Sequence, residues 1–277
     1  MPLSLSAFLA RPETAPLIIS HRGDWLSQPE NSLEAIASAT TCGADMVEID
    51  VQTTRDGHLV LLHDETLDRT TEGSGALADH DLADVTRLRL REGMGDGSAV
   101  TEVTLPTLAQ ALDAARDRVM LNIDTKTQAD LDDVCAQVLA RGMADQVLVK
   151  GPVDQPLDMM RFLDAPWWGQ IAFMPVMMHI PRGALVETVL TTARAMDLRL
   201  VELSFRDEDE LRTLSGHLKA ENVWIWTNTL DPVHSMHYHD SAALKRPKAI
   251  WGELMAMGVR AIQTDHSMAL ARFRGRL

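Results

Sequence analysis

The sequence predicts a (β/α)8 barrel, a closed ring of eight parallel strands wrapped by helices. Three observations do so. Short apolar, β-branched runs bounded by turn residues recur eight times, amphipathic helix-like stretches separate them, and the 277 residues suit a fold that commonly runs to about 250. Eight alternating units favour closure over an open doubly wound sheet, which usually has fewer strands.

The strand-like runs are 17–20, 46–51, 119–125, 146–150, 170–174, 198–204, 223–227 and 261–264. After the first, Asn31 reads as a helix N-cap with Glu34 three residues on. Apolar spacing then marks helices over 107–115, 129–140, 183–196 and 250–257. One connection breaks the rhythm, because about sixty residues separate Gly57 from Asp117, between the second and third runs. Gly73-Ser74-Gly75 and the stretch from Gly93 to Gly97 punctuate it as loop, without the strand–turn–helix setting of a dinucleotide fingerprint. The expectation is a single barrel domain over 1–277 with a capping insertion at about 65–117.

Composition removes several functional classes. With 45% apolar residues the chain can fill a sizeable core, and a net charge of -14 argues against a nucleic-acid partner, since phosphate backbones are held by surplus Lys and Arg. Cys42 and Cys135 have neither metal-ligand nor disulfide-framework spacing, which suits a reducing compartment. Residues 1–16 lack a charged start followed by an apolar core, and no later stretch reaches ~18 uninterrupted apolar residues. The expected setting is cytoplasmic, without stable membrane insertion.

Active sites of such barrels lie at the C-terminal ends of the strands, so polar residues there carry weight. The first run leads into His21-Arg22-Gly23, the second contains Glu48 and Asp50, and the third ends in Asn122, Asp124 and Lys126. Side chains two apart in a strand share a face, so Glu48 with Asp50, and Asp124 with Lys126, project together. Clustered carboxylates repel unless a hard, oxygen-seeking cation relieves them, which points to Mg²⁺ or Ca²⁺, with Mn²⁺ as a third candidate. His63 closes another apolar run at the same end as His21, and two imidazoles suit phosphodiester cleavage, one taking a proton and one giving it. Lys150 is a candidate for phosphate contact, Glu202 for a further carboxylate, and Trp226 for a wall against an alcohol group, with core packing equally open for each. The three histidines His234, His237 and His239 lie close together, but without Cys and without a closed zinc spacing.

His21-Arg22-Gly23, Pro29-Glu30-Asn31-Ser32, Gly43-Ala44-Asp45, Glu48 to Val51, Thr54 to Gly57, His63-Asp64 and Leu67 to Thr71 resemble the glycerophosphodiester phosphodiesterase family in order and spacing. The resemblance continues through Leu105 to Leu108, Asn122 to Lys126, Trp226 to Thr229 and Gln263 to Asp265. It implies a barrel with an insertion after the second strand, a divalent metal, and hydrolysis of a small glycerophosphodiester to glycerol 3-phosphate and an alcohol. Glu48 and Asp50 fall on metal-ligand positions, His21 and His63 on the catalytic pair, and Arg22 and Lys126 on phosphate contacts. Family members usually carry Glu where this chain has Asp124, a third ligand position. The side chain is one methylene shorter, so water-mediated ligation or a different ion is expected there. Lipid-active relatives share these motifs, leaving phospholipase D-like cleavage of lysophospholipids as an alternative, and a diester-binding barrel without turnover as another.

Overall fold

The computed structural model describes residues 4–10 and 16–275. Residues 1–3 and 11–15, part of the stretch read above for a leader, and 276–277 lie outside the described residues.

Eight parallel strands close the barrel: β1 (Leu17–Ser20), β2 (Met46–Thr53), β6 (Met120–Thr125), β7 (Val147–Pro152), β8 (Ala172–Met177), β9 (Leu200–Leu203), β10 (Trp224–Asn228) and β11 (Val259–Thr264). Pairing runs β1-β11-β10-β9-β8-β7-β6-β2, and β2 pairs back onto β1 to shut the ring. Each of the eight predicted runs overlaps one of these strands. β3 (Leu59–Leu61) adds antiparallel to β2 outside the ring, and β4 (Arg89–Arg91) with β5 (Val100–Thr104) forms a separate hairpin.

Alternation along the strands builds two cores. Outward residues such as Val47, Ile49, Val51, Leu121 and Ile123 pack under the helices. Inward residues near the strand starts, among them Ile19, Met46, Met120, Leu148, Met174, Leu200, Trp224 and Trp226, fill the barrel floor, closed from below by α1 (Leu5–Leu9). Burying such side chains contributes roughly 1.5–3 kcal/mol each. One inward step further up, the side chains turn polar on seven of the eight strands, β8 continuing with Val176.

The helices are α1, α2 (Leu33–Thr41), α3 (Leu82–Val85), α4 (Leu108–Ala115), α5 (Gln128–Ala140), α6 (Met160–Leu163), α7 (Leu185–Ala195), α8 (Glu208–Ala220), α9 (Asp240–Lys245), α10 (Glu253–Ala256) and α11 (Ser267–Arg274). Two expectations need correcting. Ser32, not Asn31, caps α2, its hydroxyl accepting from Ala35 N at 3.0 Å. Asn31 sits at φ 54° and turns its amide toward the barrel instead. The insertion also ends before 117, because α4, with a Thr107–Gln110 capping box, buries its face in the main core as a barrel helix. The cap proper has a small core of its own, Leu62, Leu67, Leu77, Val85, Leu90 and Leu105 around Val60.

Candidate active site

The polar layer begins where β1 ends. Arg22 (φ 54°) and Gly23 (φ 80°) turn the chain sharply, and a Cβ on Gly23 would lie 2.6 Å from that of Ala35, so only glycine permits this approach to α2. The turn aims the Arg22 backbone N–H at Glu48 Oε2 (3.2 Å) and its guanidinium at Glu30, with Nη1 3.1 Å from both carboxylate oxygens. Arg22 Nε lies 3.3 Å from Asp50 Oδ2. Asn31 grips Asp50 twice, donating Nδ2 to Oδ2 (2.9 Å) and accepting from the Asp50 backbone N–H (3.0 Å).

Glu48 and Asp50 of β2 and Asp124 of β6 bring carboxylate oxygens within 4.8 Å of one another. Asp124 therefore reaches the cluster despite its length. Around it stand three cations: Arg22, Lys126 with Nζ 3.5 Å from Asp50, and Lys150 with Nζ 3.5 Å from Glu48, 3.9 Å from Asp124 and 3.7 Å from Glu202. Burial and the neighbouring Asp50 raise the Glu48 carboxyl above the ordinary range, against the pull of Lys150 and His21. Burial opposes ionisation of Asp50 as well, but Arg22, His63 and Lys126 outweigh it and hold that carboxyl below its usual value. Two acids two residues apart are thus driven in opposite directions by their neighbours.

Two histidines flank the cluster, each tethered through Nδ1 to a carboxylate. His21 Nδ1 lies 2.8 Å from Asp265 Oδ1, which also accepts from Trp25 Nε1 at 2.7 Å. Burial disfavours the charged ring of His21, yet the Asp265 bond and nearby Glu48 raise its pKa overall. His63 Nδ1 lies 2.7 Å from Asp64 Oδ1. Arg69 clamps Asp64 through Nε (2.6 Å) and Nη2 (2.9 Å), and it reaches Glu30 with Nη1 (3.0 Å) and Nη2 (2.8 Å). Chiefly by this clamp Asp64 is held well below the ordinary carboxyl range. Arg69 also donates to Met94 O at 2.6 Å, and Gly95 permits the approach, since a Cβ there would meet Arg69 O at 2.0 Å. The cap is thereby latched to the barrel through Glu30.

Four buried polar atoms of this upper layer lack a hydrogen-bond partner: Arg22 Nε, Asn122 Oδ1, Glu202 Oε2 and Gln263 Oε1. Three are oxygens on inward-facing strand positions, the donor type that a hard cation and its water shell take. Glu48, Asp50 and Asp124 would hold such an ion.

His21, Arg22, Glu48, Asp50, His63, Asp124, Lys126 and Lys150 therefore share one mouth. The ammonium of Lys150 is buried among three carboxylates, which raise its pKa against burial. Trp226 does not face the mouth. Its ring is 0% exposed in the barrel floor, and its indole N–H donates to Asn228 Oδ1 (3.0 Å), which steadies Glu202 through Asn228 Nδ2 (2.8 Å). Glu30, Asp64 and Arg69 had no assigned role in the sequence, although all lie inside its motifs. Asp240 gave no signal; it accepts from Thr229 Oγ1 (2.6 Å), Thr264 Oγ1 (2.8 Å) and the backbone N–H of Asp265 (2.8 Å).

Residues 21–156 match the model of the glycerophosphoryl diester phosphodiesterase family, and 173–273 match one described as a domain of unknown function. The ring of strands runs through both stretches. A glycerophosphodiester phosphodiesterase of Caldanaerobacter subterraneus is 41% identical over 112 residues, 40% of this chain and 45% of that protein. One from Bacillus subtilis is 31% identical over 144 residues, 46% of this chain and 49% of that protein. The chain thus spans about half the length of these curated relatives. Among solved structures, a glycerophosphoryl diester phosphodiesterase of Parabacteroides distasonis superposes with a TM-score of 0.75 at 21% identity, covering 98% of this chain and 90% of that one. An Oleispira antarctica phosphodiesterase in complex with the product sn-glycerol-3-phosphate gives 0.70 at 21%, covering 95% and 98%. The structural likeness carries the fold, and the sequence match falls on the residues that build this mouth: over residues 21–156 the chain resembles the glycerophosphoryl diester phosphodiesterase family.

Proposed function

We propose that the chain is a metal-dependent phosphodiesterase that hydrolyses small glycerophosphodiesters to glycerol 3-phosphate and an alcohol. One observation carries the reading: two histidines, each fixed at Nδ1 by a carboxylate, flank a buried carboxylate cluster ringed by Arg22 and Lys126. With Nδ1 tied, each ring presents Nε2 to a reactant. His21, made more basic by Asp265 and Glu48, takes the proton of the attacking water or neighbouring glycerol hydroxyl. His63 gives a proton to the departing alcohol oxygen, with Asp64 and Arg69 fixing its ring; where the glycerol hydroxyl attacks, the cyclic phosphate so formed is opened by water with the two histidines in exchanged roles. Arg22 and Lys126 face the phosphate oxygens and stabilise charge as it builds. A divalent cation held by Glu48, Asp50 and Asp124, Mg²⁺ or Ca²⁺ with Mn²⁺ as a third choice, supplies Lewis-acid polarisation of the phosphate when bound. Free, buried Cys42 and Cys135 accord with a reducing, cytoplasmic setting.

The test is glycerophosphocholine hydrolysis with and without EDTA, in the wild type and in His63→Ala. Chelation should abolish turnover, and the substitution should lower kcat by about 10²–10⁴-fold. Undiminished rates after thorough chelation would remove the metal, and a normal rate in His63→Ala would remove the acid.

A second reading, cleavage of lysophospholipids, is favoured by the placement of exposed apolar side chains. Leu26, Leu157, Met160, Val233, Met236 and Met268 all follow the C-terminal ends of barrel strands, on the face of the mouth. No helix among the described residues is long and apolar enough to cross a membrane. Faster turnover of lysophosphatidylcholine than of glycerophosphocholine would establish this reading, and equal or slower turnover would dismiss it.

A further inference from the structure

The turn between β10 and α9 carries His234, His237 and His239, none of which the proposed reaction uses. Isolated bridges Thr229–His234 and Ser235–Tyr238 fold it into a compact loop. Inside it the rings of His234 and His239 lie 5.0 Å apart between centres, tilted by 44°. Both are tied at Nδ1 to consecutive residues, His234 to Leu230 O (3.2 Å) and His239 to Asp231 Oδ1 (2.9 Å). An Nδ1–H donated to a carbonyl or carboxylate fixes the tautomer that leaves Nε2 with its lone pair.

We propose that His234 and His239 form a binding site for a transition-metal ion of the Zn²⁺, Ni²⁺ or Cu²⁺ class, separate from the carboxylate cluster. Three lines support it. An ion about 2.0–2.1 Å from each Nε2 lies about 3.2 Å from each ring centre, so a near-tetrahedral angle sets the centres about 5 Å apart, the spacing observed. Carboxylate or carbonyl partners on the remote nitrogen are the arrangement that orients metal-bound histidines and raises their basicity. The Asp231 carboxylate is itself fixed, accepting from Ser241 N at 3.0 Å and from the Ser241 hydroxyl. Imidazole selects Zn²⁺, Ni²⁺ and Cu²⁺, whereas Mg²⁺ and Ca²⁺ prefer the all-oxygen cluster, so the two sites divide cations by hardness. Solvent completes the coordination. The loop ends at Asp240, which holds the backbone of Asp265, the partner of His21, so an occupied site stiffens a segment adjoining the mouth.

The experiment is Zn²⁺ titration by calorimetry of the full chain carrying Glu48→Gln and Asp50→Asn, which silence the carboxylate cluster, with and without His234→Ala or His239→Ala. One Zn²⁺ should bind in the first protein, and each histidine replacement should weaken it at least tenfold. Asp231→Asn should weaken it about 10–100-fold. In the background with an intact cluster, His239→Ala should leave Mg²⁺ binding unchanged, which also reports that the fold is intact. Should a replacement disturb folding, Cu²⁺ electron paramagnetic resonance of the Glu48→Gln, Asp50→Asn protein decides alone, and two imidazole nitrogens should appear in its hyperfine pattern. Zn²⁺ affinity within twofold across the histidine replacements, or a Cu²⁺ spectrum without two imidazoles, means an adventitious ion only and overturns the site.

Discussion

The floor and the mouth of the barrel are built from the same strands at the same inward-facing register, two residues apart. Met46 lies below Glu48 on β2, Met120 below Asn122 on β6, Leu148 below Lys150 on β7, and Leu200 below Glu202 on β9. Both layers are buried, yet one is held by close packing and the other by charges that must balance. The floor is indifferent to ions. The mouth is not, because its carboxylates depend on counter-charges that a bound cation could reinforce.

Trp226→Ala and Lys150→Met should break the two layers at similar cost but with different remedies. Removing the fully buried indole opens a cavity and should cost about 3–5 kcal/mol of unfolding free energy, the same with EDTA or Mg²⁺. Removing the ammonium strands Glu48, Asp124 and Glu202 without a buried counter-charge, also about 3–5 kcal/mol in EDTA. Added Mg²⁺ should restore much of that second loss. Urea denaturation under both conditions measures the contrast, and a Lys150→Met defect indifferent to Mg²⁺ would deny the mouth its dependence on charge.

Asp240 tests whether a buried acid next to the mouth is balanced as well as those within it. Burial outweighs the bonds from Thr229, Asp265 and Thr264 and pushes its carboxyl up to about 6, from 3.8. The folded chain therefore holds a proton there that the unfolded chain gives up near pH 4. Its stabilisation is fully present below about pH 4 and is lost as pH rises to about 6, a swing of about 3 kcal/mol. Unfolding free energy of the wild type, measured relative to Asp240→Asn, should fall over that interval and then level off. A flat difference would show that the three donors keep the carboxylate ionised throughout.

The strands and their two faces were legible in the sequence because period-two alternation is local: Met46, Glu48 and Asp50 declare one face and Val47, Ile49 and Val51 the other. The carboxylates and histidines were legible for the same reason, as polar residues interrupting apolar runs at strand ends. Interactions between distant segments were not. Glu30 gains meaning only when Arg69, 39 residues on, closes the cap over it. Asn31 looked like a cap because its neighbourhood is a helix start, whereas its partner Asp50 lies 19 residues away. For Trp226 the sequence left a wall against the alcohol and core packing equally open, because strand periodicity gives the face of a residue but not its height in the barrel.

Asp265 joins those long-range partners, lying 244 residues from His21. Asp265→Asn keeps the shape but removes the charge that raises the His21 pKa and the acceptor that fixes its tautomer. A kcat loss of about 10²-fold is expected, with the acidic limb of the pH–rate profile moved to lower pH. A loss of rate with an unmoved profile would make Asp265 a support for Trp25 rather than a positioning residue for His21.

Asp124 is the smallest lever. The family's usual Glu made its reach doubtful, but its carboxylate lies within the 4.8 Å cluster, 32% exposed and 3.9 Å from Lys150. A side chain that already reaches gains little from another methylene. Asp124→Glu should therefore shift Mg²⁺ affinity by less than tenfold, about 1.4 kcal/mol, whereas Asp124→Asn should weaken it by more than that. Calorimetric titration with Mg²⁺ separates the two outcomes. A gain of a hundredfold or more in Asp124→Glu would mean that Asp124 stops short of the ion and acts through water, making the mouth looser at β6 than at β2.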